Sequence, residues 1–248
     1  MISAKWLKLL TSLQIKKYRK LHQLFLVEGA KSVLEMMHTG YPIQALFATE
    51  SFITERIRNT KNPGFELYSA TEEELVKAGT FQTNNACIAV APIPENKPLM
   101  PNPDEYALLL DGVQDPGNLG TILRIADWYG ITKLICSLDS VDVHNPKTIA
   151  GSMGSFMRVQ TYYTDLPGYL RMHPEKTVYG AFLKGENVHS TNFDPSGFII
   201  MGSESHGIRE PLQPLVSRKI HIPRYGGAES LNVGIATAVI CDNLRRRR

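Results

Sequence analysis

Cysteine is scarce in this chain of 248 residues: Cys87, Cys136 and Cys241 are scattered, and none falls in a Cys-x-x-Cys pair. That excludes a disulfide scaffold and a zinc-ribbon type of site, and it sets the expectation of a reducing, cytoplasmic setting. Histidines such as His22, His38 and His173 share no spacing, so no metal site is expected. No stretch approaches 18 consecutive apolar residues, so no membrane span is expected. Lys5 and Lys8 interrupt the first apolar run, which therefore lacks the core of a signal peptide. Two nucleotide fingerprints are also missing. There is no Gly-x-Gly-x-x-Gly and no glycine-rich loop ending in Lys-Ser/Thr, which argues against dinucleotide and nucleoside-triphosphate sites.

What remains is ordinary globular material, 43% hydrophobic and 21% charged, long enough for one large domain or two modest ones. The net charge of +3 conceals an uneven distribution. Residues 1–20 hold six Lys/Arg and no acid, and the chain ends in Arg245, Arg246, Arg247 and Arg248. Setting those ten aside leaves 17 basic against 24 acidic residues, a weakly acidic body between two basic ends. Such a distribution differs from that of a uniformly basic protein.

Five of the fifteen prolines crowd into residues 91–104, a segment that suits neither a helix nor a central strand. The expected organisation is a domain at 1–95, a linker at 96–104 and a second domain at 105–248. In the first, the patterning predicts a basic amphipathic stretch near Leu7–Leu13, a strand at Leu24–Glu28, a helix from Ala30 to His38, and a strand at Ala45–Ala48. A helix starting at Thr71 and a strand at Cys87–Ala91 follow. In the second, short apolar runs at 106–110, 134–136, 177–182, 198–201 and 219–222 alternate with helix-period segments, as in a parallel sheet covered on both faces.

Three residue clusters sit where predicted strands of the second domain end, the edge at which open parallel sheets bind ligands. The first is Asp111-Gly-Val-Gln-Asp115-Pro-Gly-Asn118-Leu-Gly, with Arg124 farther along a helix whose apolar stripe runs through Leu119, Ile122, Leu123 and Ala126. Asn118 is placed to cap that helix, and Arg124 lies off the stripe, facing away from the core. The second is Gly202-Ser203-Glu204-Ser205-His206-Gly207, where glycines permit close backbone approach. Glu204 and His206 there read either as an acid/base pair or, more often for such residues, as turn formers. The third runs from Ile222-Pro223-Arg224 through a Gly-rich loop to Ser230-Leu231-Asn232-Val233, with Ser230 placed to cap a final helix.

Together, in this order and spacing, Asp115-Pro-Gly-Asn118 with Arg124, Gly202-x-Glu204-x-x-Gly207, and Ile222-Pro with Ser230-Leu-Asn232 resemble the three motifs of the SpoU (TrmH-like) RNA 2′-O-ribose methyltransferases. Phe25-Leu-Val-Glu-Gly-Ala-Lys31 more loosely resembles the start of the family's substrate-binding domain. The resemblance implies an α/β fold: a parallel-sheet domain with a C-terminal trefoil knot, preceded by a small α/β domain like a ribosomal-protein RNA-binding fold. It further implies a homodimer without a metal or membrane partner. By motif position it places S-adenosylmethionine against Gly202, Ser203, Gly207, Ile222 and Leu231, with Leu183 in the remaining wall. It gives Arg124 the catalytic role, with Asn118, Glu204, Ser230 and Asn232 around it. The implied reaction is methylation of a ribose 2′-hydroxyl in structured RNA, 23S rRNA ahead of tRNA. A non-catalytic RNA-binding protein on the same scaffold is the other alternative, and it would be expected to lose Arg124 or the glycines. Ser203, Ser205 and Arg224 depart from the residues usual at their motif positions.

Overall fold

The computed structural model describes residues 1–57 and 64–246, which form two compact units. The first comprises Met1–Glu95 together with His144–Met157, and the second Asn96–Val143 together with Arg158–Arg248. The segment His144–Met157, which the sequence pattern places in the second domain, therefore groups with the first.

In the first unit, α1 (Ala4–Leu13) and α2 (Lys16–His22) lead into β1 (Leu24–Glu28), α3 (Ala30–Thr39), β2 (Ala45–Ala48) and a short α4 (Glu50–Phe52) continued by a π turn. After these come β3 (Glu66–Ser69), α5 (Glu72–Ala78) and β4 (Cys87–Pro92). The sheet order is β1-β4-β2-β3, antiparallel except for the parallel β2–β3 pair. One face buries Leu10, Leu13, Leu26, Phe47, Ile88 and Val90, with Trp6 edge-on to Phe47 at 5.1 Å and Tyr68 stacked on it at 5.0 Å. α5 begins with a reciprocal capping box between Thr71 and Glu74. The predicted strands and helices of this unit are all present. β3 carries no predictive pattern, because it is a mostly exposed edge strand.

The added segment contains α7 (Pro146–Ser152). Its aromatic neighbours explain where it belongs. His144 and Phe156 lie 4.6 and 5.9 Å from the Phe25 ring, and Phe156 also meets Tyr41 at 5.6 Å.

The second unit holds β5 (Tyr106–Asp111), α6 (Pro116–Trp128), β6 (Lys133–Ser137), β7 (Gln160–Thr164), α8 (Leu166–Arg171), β8 (Val178–Asn187), β9 (Gly197–Gly202), β10 (Arg218–His221) and α9 (Val233–Arg246). Its six strands run in the order β10-β8-β9-β5-β6-β7, all parallel. The five apolar runs correspond to β5, β6, β8, β9 and β10. β7 is polar and partly exposed at the sheet edge, so it escapes the pattern. Leu119, Ile122, Leu123 and Ala126 of α6 are fully buried, as their spacing predicts. α9 packs against α6 closely enough that a Cβ on Gly234 would stand 3.0 Å from the Thr121 methyl group.

One arginine in each basic end is spent on backbone carbonyls. Lys5, Lys8, Lys16, Lys17 and Lys20 are exposed, but Arg19 is buried and donates from Nη1 to the carbonyls of Leu13 and Gln14, each at 2.9 Å. Arg245 donates from Nε to the Tyr129 carbonyl (2.7 Å) and from Nη2 to Gly130 (3.1 Å), satisfying carbonyls at the C-terminal end of α6. Arg246 pairs with Asp242 one turn back at 2.6 Å. Arg247 and Arg248 lie outside the described residues. No helix among the described residues is long and apolar enough to cross a membrane. Arg245→Ala should therefore lower stability by about 1–2 kcal/mol, the worth of hydrogen bonds from a charged donor, seen as a drop in Tm at low salt and at high salt alike.

Candidate active site

Because the sheet is parallel, the carboxyl ends of its strands lie along one edge, and the three clusters begin there. The register pairs Asp111, the last residue of β5, directly with Gly202, the last of β9. The chain then turns back on itself: Ser203 and Gly207 exchange two backbone hydrogen bonds (3.2 and 2.9 Å), and Ser203 Oγ accepts from the His206 amide at 3.2 Å. A Cβ on Gly202 would collide with the Gly207 carbonyl group and the Ile208 nitrogen, and Gly207 itself adopts φ +64°. Both positions thus need glycine for a steric reason.

Glu204, at the tip of that turn, joins the other two clusters. Its Oε1 accepts from Asn118 Nδ2 at 3.0 Å and from Asn232 Nδ2 at 2.8 Å, and Asn232 Nδ2 also donates to Asn118 Oδ1 at 2.8 Å. Asn118 is available because it is not the helix cap. Asp115 caps α6, its carboxylate accepting from the Asn118 amide at 2.8 Å with Pro116 at the first helical position. At the other end the cap of α9 is Asn232 rather than Ser230. Its Oδ1 accepts from Gly234 N (3.0 Å) and Ile235 N (3.3 Å), and its carbonyl from Ala236 N (2.9 Å). A side-chain amide has both an acceptor and two donors, so one residue can start a helix and bind the neighbouring clusters at once.

The remaining expected residues stand apart from this triangle. Arg124 is exposed and makes no hydrogen bond or ion pair among the described residues; six positions beyond Asn118, it lies about 9 Å along α6 and about 120° around it. Ser230 is exposed, Ile222 half-buried, and Leu231 and Leu183 are 48% and 77% exposed. Leu183 belongs to a stretch of β8, residues 181–185, that is skipped in the pairing with β10: Gly180 pairs with Lys219 and Glu186 with the next residue, Ile220. His206 bonds to Ser205 Oγ at 2.7 Å, and Glu204 is committed to the two asparagines, so the pair Glu204–His206 does not form. Arg224 donates within its own loop to the Ala228 carbonyl at 3.3 Å.

Three residues beside the site went unread in the sequence. Asp111 is fully buried and paired with Arg209, which also grips Asp139. An acid closing the apolar run Tyr106–Leu110 is the signal that could have found Asp111; Arg209 and Asp139 carry none. These ion pairs push the Arg209 guanidinium above its ordinary value, its hydrogen bond to Asp111 being the largest cause. At Asp139 partial burial works upward, but hydrogen bonds from Ser137 and Arg209 outweigh it and hold the carboxyl below its usual range. Burial pushes the thiols of Cys87, Cys136 and Cys241 up to about 12, which leaves them inert as nucleophiles. No group of three or more His, Cys, Asp or Glu among the described residues is arranged to hold a metal.

Asn232→Asp separates the two tasks of that side chain. The substituted carboxylate still caps α9, but it faces Glu204 without a donor, so Tm should fall at pH 8. The loss should shrink near pH 5, where like charges sharing a site let one carboxyl take up a proton and donate again. A Tm deficit independent of pH would refute the shared-carboxylate geometry.

Comparison with known proteins places this geometry in a family. The model of the SpoU rRNA Methylase family matches residues 105–242, more than half of the chain, and that of the MRM3-like substrate binding domain matches residues 5–89. The 23S rRNA (guanosine(2553)-2′-O)-methyltransferase RlmP of Bacillus subtilis is 31% identical over 244 residues, covering 94% of this chain and 96% of the relative. A structure from Porphyromonas gingivalis, assigned to the TrmH family of RNA methyltransferases, superposes with TM-score 0.87 at 36% identity over the whole of both chains. The methyltransferase AviRb of Streptomyces viridochromogenes, solved with AdoMet, shares the fold at TM-score 0.87 and 23% identity, covering 99% of this chain and 98% of that one. With its three motifs joined through Glu204 and its length matched by both family models, the chain belongs to the SpoU rRNA methylase family.

Proposed function

We propose that this chain is an S-adenosylmethionine-dependent methyltransferase acting on a ribose 2′-hydroxyl of 23S rRNA. The observation that carries the reading is the Asn118–Glu204–Asn232 triangle, which supports a single site assembled from three separate motifs. The residues fit the cofactor. Gly207 has open space where a Cβ would stand, so a ligand can approach the backbone of the turn closely there. Ser203, Gly207, Ile222 and Leu231 would line the site, and exposed Leu183 offers an apolar wall. When bound, S-adenosylmethionine supplies a methyl group already activated on a sulfonium.

The chain's own task is to align the acceptor oxygen and stabilise the charge it develops. Arg124 is the residue for this. A guanidinium is a planar fork of donors with no acceptor, so it orients the ribose and adjacent phosphate and balances the nascent alkoxide rather than acting as a simple base. Having no partner among the described residues, it is free to take one from the substrate. Glu204 serves the site through the asparagines, because a carboxylate beside the alkoxide would repel it. Ser230, exposed between the Gly-rich loop and Leu231, is assigned to the acceptor side of the same site.

Residues 1–95 are assigned to RNA binding, with His144–Met157 as a structural part of that unit, residues 96–104 to the linker and 105–248 to the catalytic domain. Lys5, Lys8, Lys16, Lys17 and Lys20 would meet phosphates, a sequence-independent and salt-sensitive contribution. The family's knotted C-terminal chain and a homodimer working in the cytoplasm complete the reading.

The test is methyl transfer from labelled S-adenosylmethionine to a 23S rRNA transcript, with mapping of 2′-O-methyl positions. Arg124→Ala should abolish transfer while the Kd for S-adenosylhomocysteine stays within about twofold, since the residue acts on the acceptor. Normal transfer by that variant, or thermal stabilisation of the protein by NAD but not S-adenosylmethionine, refutes the assignment. Replacing Lys16, Lys17 and Lys20 together by Ala should flatten the slope of log K against log salt by about 2, and an unchanged slope removes them from the RNA surface.

A further inference from the structure

The turn that carries Glu204 is held from two sides, and its second anchor has no part in the triangle. Asp111 has no exposed surface, and its carboxylate accepts from the Arg209 backbone amide at 2.8 Å, from Nε at 2.6 Å and from Nη2. The other edge of the same guanidinium takes Asp139 in a fork, Nη1 to Oδ2 at 2.8 Å and Nη2 to Oδ1 at 3.1 Å. One arginine thereby links the end of β5, the loop after β6 and the chain emerging from the 203–207 turn. Gly112 lies at the centre of this cluster: a Cβ there would stand 3.7 Å from Asp139 Oδ2 and 3.8 Å from both Arg209 Cζ and Ser203 Cβ. The Arg209 guanidinium and Ser203, the first residue of the turn, thus border the same space above Gly112. Among the described residues Arg209 is the ion-pair partner of Asp111, so the buried carboxylate holds Arg209, and Arg209 holds the turn.

We infer that Arg209 is a positioning residue for the cofactor: with Asp111 and Asp139 it presets the Ser203–Gly207 turn in the conformation that receives S-adenosylmethionine. The inference rests on the methyltransferase reading above and deepens it. Arg209 does not touch the reacting atoms. Loosening it populates turn conformations that do not bind, and the apparent affinity falls by the fraction of molecules remaining competent. Saturating cofactor restores the competent state, so the consequence is a rise in KM with kcat preserved. A merely structural role gives the opposite split, less folded enzyme with KM unmoved.

Two variants test this without leaving Asp111 uncompensated, which would risk the fold. Arg209→Lys keeps a cation beside Asp111 and loses the planar fork to Asp139. Asp139→Asn leaves the buried pair intact and weakens the outer grip. Calorimetry with S-adenosylhomocysteine, kinetics with S-adenosylmethionine and a 23S rRNA transcript, and amide hydrogen exchange on the unliganded protein are measured for each. For Arg209→Lys, Kd and KM should rise together by about tenfold with kcat within about twofold, and for Asp139→Asn by about threefold. Exchange at the amides of 203–208 should quicken in both. Variants that bind like the parent, or that lose kcat with KM unmoved, overturn the positioning role alone. A parent protein that does not bind S-adenosylhomocysteine overturns the methyltransferase reading and this inference together.

Discussion

The side-chain amide of Asn232 faces two ways, and the second unit is organised around that fact. Its oxygen accepts the first free N–H groups of α9, while its nitrogen donates to Asn118 on α6 and to Glu204 beyond β9. The starts of two helices and a turn, far apart in sequence, thus share one small polar group. Helix N-terminal amides must find acceptors in any case. Here that requirement aims the donor end of the same amide at the neighbouring motifs. Asp115 makes the arrangement possible by capping α6, which leaves the Asn118 side chain unspent.

A second constraint comes from burying charge. Taking Asp111 out of water is unfavourable unless a cation and several donors compensate it, and Arg209 supplies both through its backbone and its side chain. The strand end and the turn are therefore tied by the penalty of separating them as much as by the attraction between them. Gly202 and Gly207 add the steric condition that lets the chain fold back on β9. The edge of the sheet is consequently shaped by two polar anchors and two glycines, while the apolar core beneath supplies the platform.

Much of the fold was legible in the chain. Runs such as Leu108-Leu109-Leu110 and Phe198-Ile199-Ile200 are buried on both faces of a parallel sheet, and α6 shows its buried stripe at the expected spacing. The strands that escaped, Glu66–Ser69 and Gln160–Thr164, are edges: half their environment is solvent, so no apolar pattern is required of them. The site was legible as a set of residue types in order, but the roles within it were exchanged. Asn118 and Ser230 read as caps because their types favour that position, yet Asp115 and Asn232 took the caps. Capping propensity is shared among Ser, Asp and Asn, and which candidate wins depends on what else each side chain can reach.

By itself the sequence determined the alternation of strands and helices, the three motif clusters at strand ends, and through them the resemblance to SpoU methyltransferases. These are local properties, set by side-chain periodicity and by turn chemistry within a few residues. Tertiary structure alone decided that His144–Met157 joins the first unit, that Arg19 and Arg245 spend their charge on backbone carbonyls, and that Glu204 binds asparagines instead of His206. Each of those outcomes is a choice of partner. A donor or a charge has many possible partners along a chain, and the packing of distant segments selects among them.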